Sequence, residues 1–316
     1  MSRCAGGTDT SVGTGTMAAM TEAASEQTTP AAAPQAAAIP GQLGFDGMPQ
    51  RLFSCTPSRL SRWLDCPRHY RMTYLDRPRP QPGPPWAHNS LGASIHNALA
   101  GWWRLPRPRR TPANAGGLVD SGWLSDGFRD DAQSAVWRAR SREMVERYVE
   151  RLDPGDEPVG VERTVATRTG RLALSGRVDR LDDRDGELVV VDYKTGRRPL
   201  TTDDARGSMA LAIYAITAGR TLRRPCRRVE LHHLPTGEVA AWEHTDESLD
   251  RQLRRGEAIA GEIIAAGAGG ATGSTAAYPA RPGAQCGWCS MRAHCPEGQL
   301  AAPARDPWEA LGDRPA

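Results

Sequence analysis

Residues 176–196 read GRVDRLDDRDGELVVVDYKTG, and this stretch decides the fold. Two apolar runs flank the turn signal RDG, which predicts two neighbouring strands joined as a hairpin. The second run is apolar enough to be buried on both faces, yet it ends in Asp192 and Lys194, which alternation places on the same side. Asp179 lies near the end of the first strand, so hairpin pairing predicts that it approaches Asp192 across the ladder.

The predicted pairing brings two carboxylates together. Buried ionised groups are costly unless they pair or hold a ligand, and two close carboxylates repel each other. A divalent cation relieves this repulsion, and carboxylate oxygens suit magnesium or manganese. Asp179 and Asp192 therefore predict a site for Mg²⁺ or Mn²⁺.

Lys194 is the only lysine among forty basic residues; the other thirty-nine are arginine. A surface ion pair at a strand end is the ordinary explanation of an Asp-x-Lys sequence, but arginine would serve such a pair at least as well. Lysine offers a compact ammonium whose pKa can shift, so that it can position or deprotonate a water molecule. We therefore expect Lys194 to have a chemical role.

The segments around the hairpin predict a layered α/β fold. Further strands are expected at VGVERTVATR (159–168) and on both sides of the turn PTG (235–237). Helical spacing or capping residues predict helices at 56–75, 90–103, 125–152, 204–219 and 246–266. This order indicates a mixed central sheet flanked by helices, with a helical N-terminal part and a cysteine-rich C-terminal segment.

Composition bounds the organisation of the chain. Of its 316 residues, 39% are apolar and 24% are charged, which is enough for a domain with a core. Residues 1–50 have the composition of a disordered tail, the domain is expected over 51–300, and 301–316 are expected to form a second tail. No window approaches the ~20 apolar residues of a membrane span and no signal peptide is evident, so we expect a cytoplasmic protein with no membrane partner.

Three cysteines form a C-x2-C-x5-C pattern: Cys286, Cys289 and Cys295. A metal site is more plausible than disulfides because nothing in the sequence indicates secretion. Three cysteines leave a tetrahedral site one ligand short, and His294 is a candidate replacement for a cysteine. The pattern leaves zinc and an iron–sulfur cluster open.

These elements together resemble a known family. GRVDRL, the VDYKTG element whose Asp192 lies thirteen residues after Asp179, the upstream GASIH (92–96) and the downstream helix with Tyr214 resemble the PD-(D/E)XK nuclease superfamily. The resemblance is to its RecB-like branch, which includes the AddB nuclease domain and the CRISPR adaptation nucleases, and it covers about residues 52–300. It implies a restriction-endonuclease-like core.

The resemblance implies roles for particular residues. Asp179 and Asp192 would bind the metal, Lys194 would assist the attacking water, and His96 from an early helix would join the metal ligands.

Further positions match the family less closely. The Tyr193 carbonyl is a further candidate ligand, and Glu162 resembles another acidic position of the family, the alternative being a solvent-facing strand residue. The family usually has Gln-x-x-x-Tyr where this chain has Ala210 and Tyr214. Alanine thus stands in place of the glutamine, which weakens the expectation of the contact that the glutamine makes in the family.

The resemblance also implies an assignment for the cysteines. The RecB-like branch often carries one cysteine before the nuclease core and three after it, and together they hold a four-iron four-sulfur cluster. Cys66, in LDCPRHY, would then complete the site with Cys286, Cys289 and Cys295. Such a site would join the two ends of the domain, and zinc is the alternative occupant.

The predicted function is a Mg²⁺- or Mn²⁺-dependent deoxyribonuclease, an exonuclease of DNA repair or recombination that acts on single-stranded DNA or DNA ends. The only lysine follows Tyr193, so the chain has no G-x-x-x-x-G-K-[ST] loop, and a helicase or repair subunit would be a separate chain. Two alternatives are a non-catalytic relative that binds single-stranded DNA through residues such as Trp102 and Trp103, and a zinc or iron–sulfur adaptor.

Overall fold

The computed structural model describes residues 52–268 and 276–312, which contain a mixed six-stranded sheet flanked by helices, as predicted. The predicted disordered tail at 1–50 lies outside the described residues. The strands are β1 (Phe53–Cys55), β2 (Gly160–Arg168), β3 (Leu172–Arg184), β4 (Glu187–Lys194), β5 (Arg228–His233) and β6 (Glu238–Glu243).

The helices precede, interrupt and follow the strands. They are α1 (Pro57–Asp65), α2 (Pro67–Tyr74), α3 (Ala87–Trp103), α4 (Pro112–Ser121), α5 (Asp131–Val149), α6 (Thr202–Gly207), α7 (Met209–Leu222), α8 (Asp246–Ala268) and α9 (Pro296–Ala301). Short 3-10 turns lie at Arg107–Arg109, Ala284–Trp288, Arg292–His294 and Glu309–Leu311. In the described ranges, every helix is too short or too polar to traverse a lipid bilayer.

The long strand β3 organises the sheet. One of its edges pairs antiparallel with β2; on the other edge its first residues pair parallel with β1 and its last residues antiparallel with β4. β4 pairs parallel with β5, and β5 pairs antiparallel with β6. Between its pairing with β1 and its pairing with β4, β3 has an open edge at residues 175–179.

The predicted hairpin between β3 and β4 is confirmed. Its two turn residues, Asp185 and Gly186, have φ values of +53° and +90°. An Asp-Gly pair with both φ values positive matches the turn that joins twisted antiparallel strands, and Gly186 adopts this conformation without a side-chain clash. The turn fixes the register, which runs from Arg184 opposite Glu187 to Arg180 opposite Val191.

β4 is buried on both faces, as its apolar run predicts. Val189, Val191 and Tyr193 belong to a core with residues of α3, α4 and α5. Leu188 and Val190 belong to a second core with residues of α7 and β5. Helices therefore cover both faces of the strand that carries the lysine.

Several boundaries differ from those predicted. The segment 56–75 is two helices, because Cys66 is extended (φ −166°, ψ 113°) before Pro67, and a residue before proline is disfavoured in helical geometry. The segment around 204–219 is interrupted at Ser208, whose side chain caps α7. β1, α4 and α9 have no counterpart among the sequence predictions.

The segment expected to form the C-terminal tail packs onto the domain in its described part. The Ala87 N–H donates to the Pro307 carbonyl at 3.1 Å. Leu311 is buried in the same core as α3, and Trp308 packs against that core. Residues 307–311 thus cover the beginning of α3.

Candidate active site

Three carboxylates lie opposite one another on adjacent strands. Arg180 and Val191 are the last paired residues of the β3–β4 ladder, so Asp179 and Asp192 occupy the next opposed position. On the other edge of β3, the pairs Val161–Arg180 and Arg163–Val178 leave residue 162 opposite Asp179. The site is therefore centred where β3 and β4 separate.

Asp179 is held by the backbone of β4. Its Oδ2 accepts a hydrogen bond of 2.8 Å from the Tyr193 N–H, which extends the pairing of the two strands by one further contact. Its Oδ1 lies 3.4 Å from Nδ1 of His96 on α3. His96 and Asp179, both of which the resemblance implies as metal ligands, thus lie next to each other.

Glu162 joins these two residues. One ligand atom from each of His96, Glu162 and Asp179 lies within 4.8 Å of the other two, a grouping that can hold a metal ion. The Glu162 side chain is only 14% exposed and forms an ion pair of 2.7 Å with Arg177. The Glu162 side chain is therefore mostly covered, although its partner Arg177 is largely exposed.

Glu162 also has an unusual backbone. Its φ is +49°, a left-handed conformation that residues other than glycine rarely adopt. Such outliers cost of order 1–3 kcal/mol and occur at functional sites. The conformation takes residue 162 out of the β2–β3 ladder beside Asp179, where its carboxylate can join the group.

Asp192 lies beside this group rather than within it. Its side chain is 17% exposed and forms an ion pair with the Lys194 ammonium, which is 45% exposed. Apart from this ion pair, the buried Asp192 Oδ2 has no hydrogen bond of acceptable geometry in the described part of the chain. A buried carboxylate oxygen with so few partners is a candidate for binding a further ligand.

The electrostatics of the site indicate excess negative charge. Burial raises the pKa of Asp192, and the neighbouring Asp179 adds to the increase against the opposing effect of Lys194. Burial likewise raises the pKa of Glu162. Burial lowers the pKa of His96, but the hydrogen bond to Asp179 and the nearby carboxylates outweigh it and raise that pKa. Each of these groups therefore takes up a proton more readily than usual, because the carboxylates give the site excess negative charge. A bound cation would neutralise that charge.

Tyr193 and Tyr214 lie close to the carboxylates in different ways. The Tyr193 ring is buried and contacts the His96 ring edge-to-face, with centroids 5.8 Å apart. Tyr214 is half-buried on α7, where burial and the charges of Asp192 and Asp179 raise its pKa to about 12. It packs so closely on β3 that a Cβ on Gly176 would lie 2.4 Å from its ring.

A separate site contains four cysteines. Cys66, Cys286, Cys289 and Cys295 line one cavity of about 410 Å³, together with four arginines: Arg62, Arg68, Arg281 and Arg292. Burial raises the pKa of the Cys289 and Cys295 thiols, with the other cysteines of the group contributing at Cys289. The fold therefore brings Cys66 to the three C-terminal cysteines, across more than two hundred residues of sequence.

The remaining sequence candidates lie elsewhere. His294 Nε2 is hydrogen-bonded to the Gln81 carbonyl at 2.8 Å, and the residue does not line the cysteine cavity. Two cysteines that do not line this cavity are buried among apolar residues: Cys226 in the second core, and Cys55 in a third core with residues of α1, α7 and α8. Trp102 and Trp103, at the end of α3, are 1% and 5% exposed and pack in the core, which contradicts the alternative in which they bind single-stranded DNA.

Comparison with known proteins identifies the family. The family model of the PD-(D/E)XK nuclease superfamily matches residues 54–296, and the chain belongs to this superfamily. No curated protein matches the sequence.

Two solved structures are similar at low sequence identity. One is the crystal structure of a protein from Eubacterium rectale described as a putative exonuclease, with 11% identity, a TM-score of 0.40, and coverage of 66% of this chain and 79% of that one. The other is the crystal structure of SSO0001, with 14% identity, a TM-score of 0.35, and coverage of 79% of this chain and 88% of that one.

Proposed function

We propose that the protein is a Mg²⁺- or Mn²⁺-dependent deoxyribonuclease of the RecB-like branch, an exonuclease of DNA repair or recombination. The observation that carries the proposal is the meeting of Glu162, Asp179 and His96 where β3 and β4 separate, with Asp192 and the only lysine of the chain, Lys194, beside them. Membership of the nuclease superfamily supports a nucleic-acid substrate.

The residues present fit a divalent cation. Glu162, Asp179 and Asp192 offer the oxygen ligands that Mg²⁺ and Mn²⁺ prefer, and His96 and the Tyr193 carbonyl complete the candidate set. The raised pKa values of Glu162 and Asp192 agree with charge that a cation would neutralise. When bound, the cation supplies Lewis-acid stabilisation of charge on the phosphate oxygens and activation of water.

The side chains around the cation have separate tasks. Lys194, held by its ion pair with Asp192, positions the attacking water and accepts or donates its proton. The Tyr193 N–H fixes the Asp179 carboxylate, and the Tyr193 ring supports His96 at its edge. Tyr214 closes the site from α7 over Gly176. Arg177, largely exposed beside Glu162, can contact a phosphate of the substrate.

A cleavage assay tests the proposal. End-labelled single-stranded DNA and blunt duplex are incubated with the full chain and Mg²⁺ or Mn²⁺, then with excess EDTA. We expect nucleotide release from ends with either cation and none in EDTA. Asp179→Asn should abolish cleavage, whereas Asp203→Asn, which changes an exposed carboxylate on α6, should leave it intact. Cleavage that persists in EDTA, or binding without cleavage by the wild type, contradicts the proposal.

The substrate and partners follow from the same proposal. Single-stranded DNA or DNA ends are the expected substrates, and a helicase or another repair subunit is the expected partner.

We further propose a four-iron four-sulfur cluster at the four cysteines. The resemblance to the RecB-like branch and the meeting of all four cysteines at one cavity support this occupant, and zinc is the alternative, since four thiolates suit either centre. The four arginines that line the cavity complement the negative charge of such a cluster.

Metal analysis and absorbance of anaerobically purified protein test this assignment. We expect a brown protein containing iron and sulfide, whose visible absorbance bleaches on reduction. A colourless protein with one equivalent of zinc would replace the cluster by zinc and would leave the nuclease proposal intact.

A further inference from the structure

A second cavity, of about 440 Å³, adjoins the cysteine cavity and shares Arg62, His69 and Trp288 with it. Trp86, His88 and Asn89, from the beginning of α3, form its other wall. We call this cavity the aromatic groove. No aspartate or glutamate is among the described residues that line it.

The two tryptophans of the groove are half-buried and close together. Their ring centroids lie 5.0 Å apart at an interplanar angle of 56°, and His88 approaches Trp288 edge-on at 6.2 Å. The Arg305 guanidinium lies over the Trp288 ring, 5.1 Å from its centroid. In contrast to Trp102 and Trp103, which fill the core, these rings line a cavity that is open to solvent.

The groove lies on the side of α3 that faces the candidate active site. Asn89 and His96 are seven residues apart, which is about two helical turns and roughly 10 Å along the helix axis. Between them, a Cβ on Gly92 would lie 3.4 Å from the Thr195 hydroxyl, so this face of α3 contacts the residue that follows Lys194. A short length of strand can therefore span the two places.

We propose that the aromatic groove binds single-stranded DNA, with bases stacked on Trp86 and Trp288 and a phosphate paired with Arg62. This inference rests on the proposed nuclease function, for which it defines how the strand approaches His96. Aromatic rings bind unpaired bases of any sequence, whereas the bases of a duplex are already stacked on one another. Arg62 lines the groove, whose own lining has no carboxylate among the described residues, so its guanidinium complements a phosphate of the strand.

Stacking should make binding depend on the bases. In EDTA, where cleavage is blocked, fluorescence anisotropy compares a labelled oligothymidylate with an abasic strand of the same length and with a duplex. Trp86→Leu and Trp288→Leu should each weaken oligothymidylate binding roughly 5- to 100-fold and should leave abasic-strand and duplex binding nearly unchanged. Trp86→Phe and Trp288→Phe should restore most of the affinity, because phenylalanine retains an aromatic face.

The matched control is Trp242→Leu. Trp242 is also half-buried and also has an arginine over its ring, Arg206 at 5.5 Å, but it lies on β6 and does not line the groove. Because Trp288 lies between two cysteines, iron content is measured for its variants, and Trp86, which is not adjacent to a cysteine, tests the groove independently. Base-dependent loss at Trp86 and none at Trp242 supports the proposal.

Two results would overturn the proposal that the aromatic groove binds single-stranded DNA. One is unchanged oligothymidylate affinity in both leucine variants. The other is an equal loss on the abasic strand and the duplex, which would indicate a general effect on charge or folding. In either case metal-dependent cleavage by the wild type still stands on its own assay, so failure of the groove and failure of the nuclease function are distinguishable.

Discussion

Lys194→Arg separates a chemical role of the lysine from a structural one. The substitution keeps a positive charge beside the buried Asp192 carboxylate, so the ion pair can re-form. It removes the compact ammonium and replaces it by a guanidinium, which stays protonated under all conditions of interest. We expect DNA binding and folding to persist while cleavage is lost.

The two expected magnitudes differ widely. The Lys194 side chain is 45% exposed, and an ion pair of such a group contributes roughly 0.2–1 kcal/mol to stability. The free energy of unfolding should therefore change by less than about 1 kcal/mol. Loss of a general acid–base group lowers the rate by roughly 10²- to 10⁴-fold, which corresponds to about 2.7–5.5 kcal/mol in the barrier.

Single-turnover cleavage of end-labelled DNA with Mg²⁺ measures the rate, and urea unfolding measures stability. The matched control is Arg198→Lys, the reverse exchange four residues on, at an exposed side chain paired with Asp204; it should change neither quantity. Cleavage by Lys194→Arg at the wild-type rate would refute the chemical role. A parallel loss of stability and rate would show that the lysine acts by supporting the fold.

Three further predictions follow from the structure. Gly176→Ala should displace the Tyr214 ring, because the new Cβ would lie 2.4 Å from that ring. We expect a loss of roughly 1–3 kcal/mol in the free energy of unfolding, measured in urea, and slower cleavage in the nuclease assay. Unchanged stability would contradict this prediction. Cys66→Ser should lower iron content and melting temperature, whereas Cys226→Ser should leave the iron content unchanged; full iron content in the Cys66 variant would remove Cys66 from the site. In Glu230→Gln, the free energy of unfolding in urea should fall less steeply than in the wild type as the pH decreases from about 4.5 to about 2. Burial alone would raise the pKa of Glu230, but hydrogen bonds from His232, Arg184 and Arg228 lower it. The unfolded state therefore takes up the proton first as the pH falls. The same decrease in stability in the variant and the wild type would contradict this prediction.

The β3–β4 hairpin was predictable because its determinants are local. The Asp-Gly turn, the alternation of apolar residues and the two-residue loop act within twenty residues of sequence, and together they fix which residues face each other. Asp179 was therefore expected to lie opposite Asp192. Lys194 was identifiable because composition singled it out among forty basic residues.

Glu162 shows where local reasoning falls short. A strand pattern predicts ordinary alternation for VGVERTVATR, but residue 162 adopts φ +49° and leaves the ladder. Its partial resemblance to an acidic position of the family was the one available signal. The aromatic groove gave no signal at all, because Trp86 and Trp288 are separated by two hundred residues and meet only when the beginning of α3 packs against the C-terminal segment.

By itself, the sequence determined the strands β2 to β6, the hairpin register and the identity of the lysine, since periodicity and turn chemistry act over short distances along the chain. Only the tertiary structure decided that His96 reaches Asp179, that Glu162 completes the group and that Cys66 joins three cysteines more than two hundred residues away. Those contacts depend on how helices pack on the two faces of the sheet, and packing is set by the shape of whole cores rather than by any short segment.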